Sequence, residues 1–89
     1  MNIGDVNQRK GELISGCKKL LKKPKDEVLP AMLELDMGEP QEIQTITDST
    51  EVYYFYKRYV TKRKDRYYDK VELNFKNDIM MSYKVEIVR

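Results

Sequence analysis

Period-two alternation over residues 51–89, EVYYFYKRYVTKRKDRYYDKVELNFKNDIMMSYKVEIVR, constrains the fold more than any other feature of this chain. In an extended strand successive side chains point to opposite faces, so alternation of apolar and polar residues marks one dry and one wet side. Val71, Leu73 and Phe75 alternate with Glu72, Asn74 and Lys76, and Ile79, Met81, Tyr83, Val85 and Ile87 share a parity in the next run. Between the two runs lie Asn77 and Asp78, residue types that tolerate positive φ, which predicts a tight primed hairpin turn. A third run, 52–60, precedes them, and together they predict a three-stranded antiparallel meander. In that third run both parities are apolar or aromatic, with Tyr53, Phe55 and Tyr59 on one side and Val52, Tyr54, Tyr56 and Val60 on the other, so either side fits a core.

The residues upstream are expected to cover the dry face. Leu13, Ile14, Cys17, Leu20 and Leu21 recur at helical spacing from Glu12 onward, while Lys18, Lys19, Lys22 and Lys23 fall outside the stripe. Residues 1–11 mix Gly4, Asn2 and Asn7 with charges and are expected to be a mobile arm. Pro24 closes the first helix and can open a second, in which Asp26 and Glu27 sit near the positive helix pole. Val28, Leu29, Met32, Leu33 and Met37 form its apolar side, and Gly38 with Pro40 stops it. Pro30 removes a backbone donor inside this segment, so the helix is expected to start late or to bend. Residues 41–50, QEIQTITDST, fit a loop or a short edge strand with Ile43 and Ile46 as its only apolar residues; irregular structure is the expectation, with turn chemistry at Asp48-Ser49-Thr50. The expected class is α+β, two N-terminal helices packed on a three-stranded antiparallel β-meander, with residues 12–89 as a single αα-βββ domain.

The residue inventory excludes much chemistry. There is no histidine and one cysteine, Cys17, which removes the usual general base at neutral pH, the Ser-His and Cys-His nucleophile pairs, an internal disulfide and thiolate zinc sites. Neither a cofactor nor a metal is expected. Asp69 with Glu72, or Asp26 with Glu27, are the candidate acid pairs, yet no phosphate loop or nucleophile motif accompanies them, and a non-catalytic protein is expected. No apolar run approaches the ~20 residues of a membrane helix, and the N-terminus lacks the apolar core of a signal peptide, so a cytoplasmic location without membrane contact is expected.

Net charge is +2, but it is segregated along the chain: +5 over residues 1–25, −8 over 26–56, where Lys and Arg are absent, and +5 over 57–89. Two explanations fit, salt-bridge complementarity between neighbouring elements or a surface with two poles.

The helix stop DMGEP, the strand run VYYFYKR and the later KVELNFKNDIMMSYKV, preceded by KDEVLPAML, resemble the SmpA/OmlA family of BamE-like lipoproteins over about residues 22–88. The resemblance implies an ααβββ fold like the repeats of β-lactamase inhibitory protein, and a role in binding other proteins. Ile14-Ser15-Gly16-Cys17 spells the family's lipid-accepting box, but Asn7, Gln8, Arg9, Lys10 and Glu12 stand where an apolar segment belongs. Cys17 fits the helix stripe instead, as a buried thiol.

The surface feature with most chemical content is the interleaving of Tyr53, Tyr54, Tyr56, Tyr59, Tyr67 and Tyr68 with Lys57, Arg58, Lys62, Arg63, Lys64 and Arg66. Tyrosine beside cations suits a protein interface, and it also suits nucleic acid, where rings stack on bases and cations meet phosphates. The candidate partner-binding residues are Tyr54, Tyr56, Arg58, Lys62, Arg63 and Arg66. A protein partner is the first expectation and nucleic acid the alternative. A homodimer is also expected, because tyrosines on both faces of one strand leave apolar area exposed and sheet edges invite pairing.

Overall fold

The computed structural model describes residues 3–60 and 63–88. Two helices, α1 (Ile3–Leu20) and α2 (Lys25–Glu34), precede four strands, β1 (Glu42–Thr47), β2 (Thr50–Val60), β3 (Arg66–Lys76) and β4 (Ile79–Val88). The strands form one antiparallel sheet in the order β1-β2-β3-β4. The α+β class with two helices is as expected. The three-stranded sheet is corrected to four, because residues 42–47 form a hairpin with β2 rather than irregular structure. All six residues of β1 are exposed, so it carries no burial alternation that could announce it. What holds it is backbone pairing together with its turn, where Thr47 Oγ1 donates to Thr50 Oγ1 at 2.9 Å and accepts from the Ser49 amide at 3.3 Å. Helix α1 also begins earlier than Glu12, so that much of the expected arm is helical.

The odd-numbered face of β2 and β3 is the dry one. Tyr53 and Phe55 of β2 join Val71, Leu73 and Phe75 of β3 and Met80 of β4 in a core closed by Leu13, Cys17 and Leu20 of α1 and Val28 and Met32 of α2. Each such side chain contributes roughly 1.5–3 kcal/mol relative to exposure. The Tyr53 and Phe75 rings meet edge to face, with centroids 5.0 Å apart. Gly16 lets α1 and the end of α2 approach closely, since a Cβ there would lie 2.8 Å from the Leu35 methyl carbons.

β4 departs from the simple alternation. Met80 is fully buried whereas Met81 is 40% exposed, and Tyr83, Val85 and Ile87 then face the core side. The cause is a bulge: Phe75 pairs with Met80 but Asn74 pairs with Ser82, leaving Met81 as an extra residue. The Asn77-Asp78 turn, with both φ angles positive at 52° and 63°, sets the first pairs of the ladder. Continued without a bulge, that register would bring Lys84 and Glu86 to the dry face opposite Val71 and Asp69. One extra residue moves Val85 and Ile87 there instead.

Three polar fastenings tie the layers. Arg9 of α1 donates from Nε to Asp69 Oδ2 at 2.8 Å and from Nη2 to the Leu35 carbonyl at 2.8 Å. Asp69 is 1% exposed, and its other oxygen, Oδ1, has no hydrogen-bond partner among the described residues. Lys25, in the first turn of α2, donates to Glu51 Oε1 at 2.6 Å and contacts Asp78 Oδ1 at 2.9 Å, with its ammonium 5.0 Å from the Tyr53 ring centroid. A cation at a helix N-terminus opposes the helix dipole, and these two carboxylates offset it. Burial by itself lowers the Lys25 pKa, but hydrogen bonds to Glu51, Tyr53 and Asp78 outweigh it and raise the value. Finally, the linker between the helices lies along the start of β4, with the Lys22 amide donating to Met80 O, the Met80 amide to Lys23 O and the Lys25 amide to Asp78 O.

Arg9→Ala is expected to destabilise the fold by roughly 3–5 kcal/mol, because it leaves the Asp69 carboxylate buried without its counter-charge. In urea unfolding, Arg9→Met combined with Asp69→Leu should recover most of that loss; a double variant as unstable as the single would refute the account. Burial pushes the Cys17 thiol up from 9.0 to about 11. Because the folded value lies above the unfolded one, this group's contribution to stability is intact below pH 9 and is lost as pH rises toward 11. Iodoacetamide at neutral pH should therefore leave native Cys17 unlabelled and modify it only in denaturant, and rapid native labelling would contradict its burial.

Candidate functional site

The sheet face away from the helices carries the even-numbered residues of β2 and β3, and of the tyrosine and cation residues singled out in the sequence it holds Tyr54, Tyr56, Arg58, Arg66 and Tyr68. Tyr54, Tyr56 and Arg58 stand in a row along β2, opposite Glu72, Lys70 and Tyr68 of β3. Glu42 and Gln44 of β1 flank the row on one side, and Lys84 and Glu86 of β4 on the other. Arg66 pairs with Val60 at the far end of the β2–β3 ladder, and Arg63 and Lys64 are exposed in the connection beyond it. Lys62 lies outside the described residues. Lys57 has odd parity and leaves this set, its ammonium 2.8 Å from Asp36 Oδ1 at the end of α2.

Local bonds order the aromatic rings of this face. The Tyr54 hydroxyl donates to Gln44 Oε1 at 3.1 Å. Partial desolvation raises the Tyr54 pKa, and the nearby Glu72 and Glu42 carboxylates raise it further, so the ring keeps its proton as a donor. The Lys70 ammonium lies 5.9 Å from the Tyr56 ring centroid, and the Arg58 guanidinium lies 5.4 Å from that of Tyr68 while its Nη2 donates to the Tyr68 hydroxyl at 2.9 Å. Lys84 and Glu86 pair along β4 at 3.0 Å; the Lys84 pKa rises and that of Glu86 falls, chiefly through their shared hydrogen bond.

Charge on this face is therefore graded. Around Tyr54 and Tyr56 acids and bases alternate, with Glu72 across from Lys84 and Lys70 across from Glu86. Toward the far end Arg58, Arg66, Arg63 and Lys64 make it basic, with Tyr68 among them and Val60 and Val88 exposed at 56% and 41%. Tyr68 and Lys70 were not among the candidate residues. Register joins them to the face, and sequence parity alone left open which side of the first run was dry.

The candidate acid pairs do not assemble a shared site. Asp69 points into the core and Glu72 to the open face, so their carboxylates lie on opposite sides of the sheet. Asp26 and Glu27 are exposed in the first turn of α2. Among the described residues no three acidic or thiol side chains are grouped to hold a metal ion, and no helix is long and apolar enough to cross a membrane. Comparison with protein family models, with curated proteins and with solved structures gives no match to this chain.

Tyr56 and Arg58 are exposed, so their removal should be tolerated by the fold. Tyr56→Ala and Arg58→Ala are each expected to cost no more than about 1 kcal/mol, the scale of an exposed cation–π contact. Thermal unfolding of the two variants checks this, and a loss several times larger would make the face part of the scaffold.

Proposed function

We propose that the protein is a non-catalytic binding module, of the small inhibitor or adaptor type, whose helix-free sheet face engages a protein partner. The carrying observation is the row Tyr54, Tyr56 and Tyr68 with Arg58, Lys70 and Arg66 on one uncovered face. Tyrosine and arginine are enriched at the energetic centres of protein interfaces, because they present large contact area with polar ends. Rings already held by neighbouring cations and by Gln44 lose little freedom on binding. Tyr54, Tyr56, Arg58, Arg63 and Arg66 carry the contact, and Lys62 is assigned to it from sequence. The resemblance to SmpA/OmlA proteins favours the same reading, with β1 as a strand added to the ααβββ order.

The basic far end supports a second reading, nucleic-acid binding, since Arg58, Arg66, Arg63 and Lys64 surround Tyr68 there. Salt separates the two. Phosphate contacts release counterions, so nucleic-acid affinity falls by orders of magnitude over a few-fold rise in salt, whereas a tyrosine-centred protein interface is less sensitive.

A tagged pull-down from lysate, run with and without nuclease, tests the proposal. One protein recovered near equal stoichiometry in both arms, and lost with Tyr56→Ala combined with Arg58→Ala, is the expected result. Recovery that vanishes with nuclease would replace the protein partner with nucleic acid, and recovery indifferent to both substitutions would remove the face from the account.

A further inference from the structure

We propose that β1 and the notch beside it form a second docking surface, which takes an extended segment of another protein that alternates apolar and basic side chains. This surface is distinct from the tyrosine face.

β1 is a sheet edge. It ends the strand order, so its outward backbone groups have no strand partner among the described residues. Edges are ordinarily blunted by lysine, proline, bulges or cover; EIQTIT contains neither Lys nor Pro, its register shifts only between Thr45 and Thr47, all six of its side chains are exposed, and Ile43 and Ile46 are 50% and 58% exposed. The opposite edge is treated differently, since the 22–25 linker pairs with the start of β4. The 38–40 segment that leads into β1 forms, with α2, a predominantly apolar notch of about 220 Å3 bounded by Leu29, Pro30, Leu33 and Pro40. Leu33 is 55% exposed. Ile43 pairs with the inward-facing Tyr53, so it lies on the same side of the sheet as α2. A strand added to β1 would set alternate side chains on the side of the sheet that Ile43 shares with α2, with affinity from main-chain bonds and selectivity from those side chains.

Charge selects the occupant. Residues 26–56 contain no Lys or Arg. Glu27, Asp36 and Glu51 of this stretch are satisfied within the chain by Lys23, Lys57 and Lys25. Asp26, Glu34, Glu39, Glu42 and Asp48 have no ion pair among the described residues; of these Glu39 lines the notch, Glu42 lies on β1 and Asp48 in the turn that follows it. A second copy paired antiparallel about the middle of β1 would bring its Asp48 beside Glu42, so like charges meet at both ends of the junction. A segment bearing Lys or Arg places opposite charges there instead.

Random twelve-residue peptides displayed on phage, selected on the full chain and then titrated into isotope-labelled protein, test the proposal. Enriched sequences should alternate apolar residues with Lys or Arg, and they should shift the backbone amides of residues 42–47, Leu33 and Gly38. Leu33→Lys, and Glu39→Lys combined with Glu42→Lys, should each weaken binding at least tenfold, whereas Tyr56→Ala should change it less than twofold. Every substituted position is exposed, and a melting curve on each variant verifies folding. No enrichment, enrichment of acidic or uncharged peptides, or shifts centred on Tyr54 and Tyr56 would each overturn the assignment. So would concentration-dependent shifts of residues 42–47 in peptide-free protein, which would give the edge to a second copy. Shifts centred on Tyr54 and Tyr56 would instead locate the peptide on the tyrosine face, whose own test remains the pull-down with Tyr56→Ala combined with Arg58→Ala.

Discussion

A small chain with one sheet can hide one face of it, and the arrangement of this protein follows from which face that is. Phe55, Val71 and Leu73 give the odd side of β2 and β3 a continuous apolar surface, and the stripe Leu13, Cys17 and Leu20 of α1 is shaped to meet it. Once that contact forms, the even side has no element left to cover it. Its tyrosines must then be ordered by one another, by cations and by Gln44 rather than by a core. The same contact sends Asp69 inward, and Arg9 becomes the residue that makes a carboxylate tolerable there.

Legibility from sequence tracks burial. β3 was readable because Val71, Leu73 and Phe75 are dry and their neighbours are not, and the Asn77-Asp78 turn was readable from its residue types. β1 was legible only as one of two alternatives, since a strand exposed on both sides has no burial alternation to decide between an edge strand and a loop. The early start of α1 was hidden for a related reason. Arg9, in the second turn of this helix, is fastened by a long-range ion pair to Asp69, a partner that sequence spacing does not announce. Tyr54, Tyr56, Arg58 and Arg66 were identifiable as a tyrosine and cation set, but their common face follows from Tyr53 and Phe55 turning inward, which the apolar and aromatic residues on both parities of 52–60 left undecided. Lys70 came into the set, and Tyr68 onto its face, only through cross-strand register.

Both explanations of the segregated charge hold for different residues. Lys25 with Glu51 and Lys57 with Asp36 join the acidic middle of the chain to its basic flanks, which accounts for part of the pattern as internal pairing. Of the other acids in that middle stretch Glu42 and Asp48 lie on β1 and in its turn, and of the other bases Arg58, Arg63, Lys64 and Arg66 lie toward the far end of the β2–β3 hairpin, in a molecule 45 Å long and 22 Å across. Lys18, Lys19 and Lys22 add an exposed basic row at the end of α1.

The bulge in β4 has a bearing on how this chain could vary over time. The hairpin turn and the strand interior disagree by one residue, and Met81 absorbs the difference. That surplus residue could sit in the turn instead. A lineage that lengthened the Asn77-Asp78 loop by one position while deleting Met81 would keep every inward side chain in place, so insertions and deletions here are neutral as a pair and harmful singly. What such an exchange would sacrifice is the added twist that a bulge gives its strand, which makes the location of the surplus residue, rather than its presence, the heritable choice.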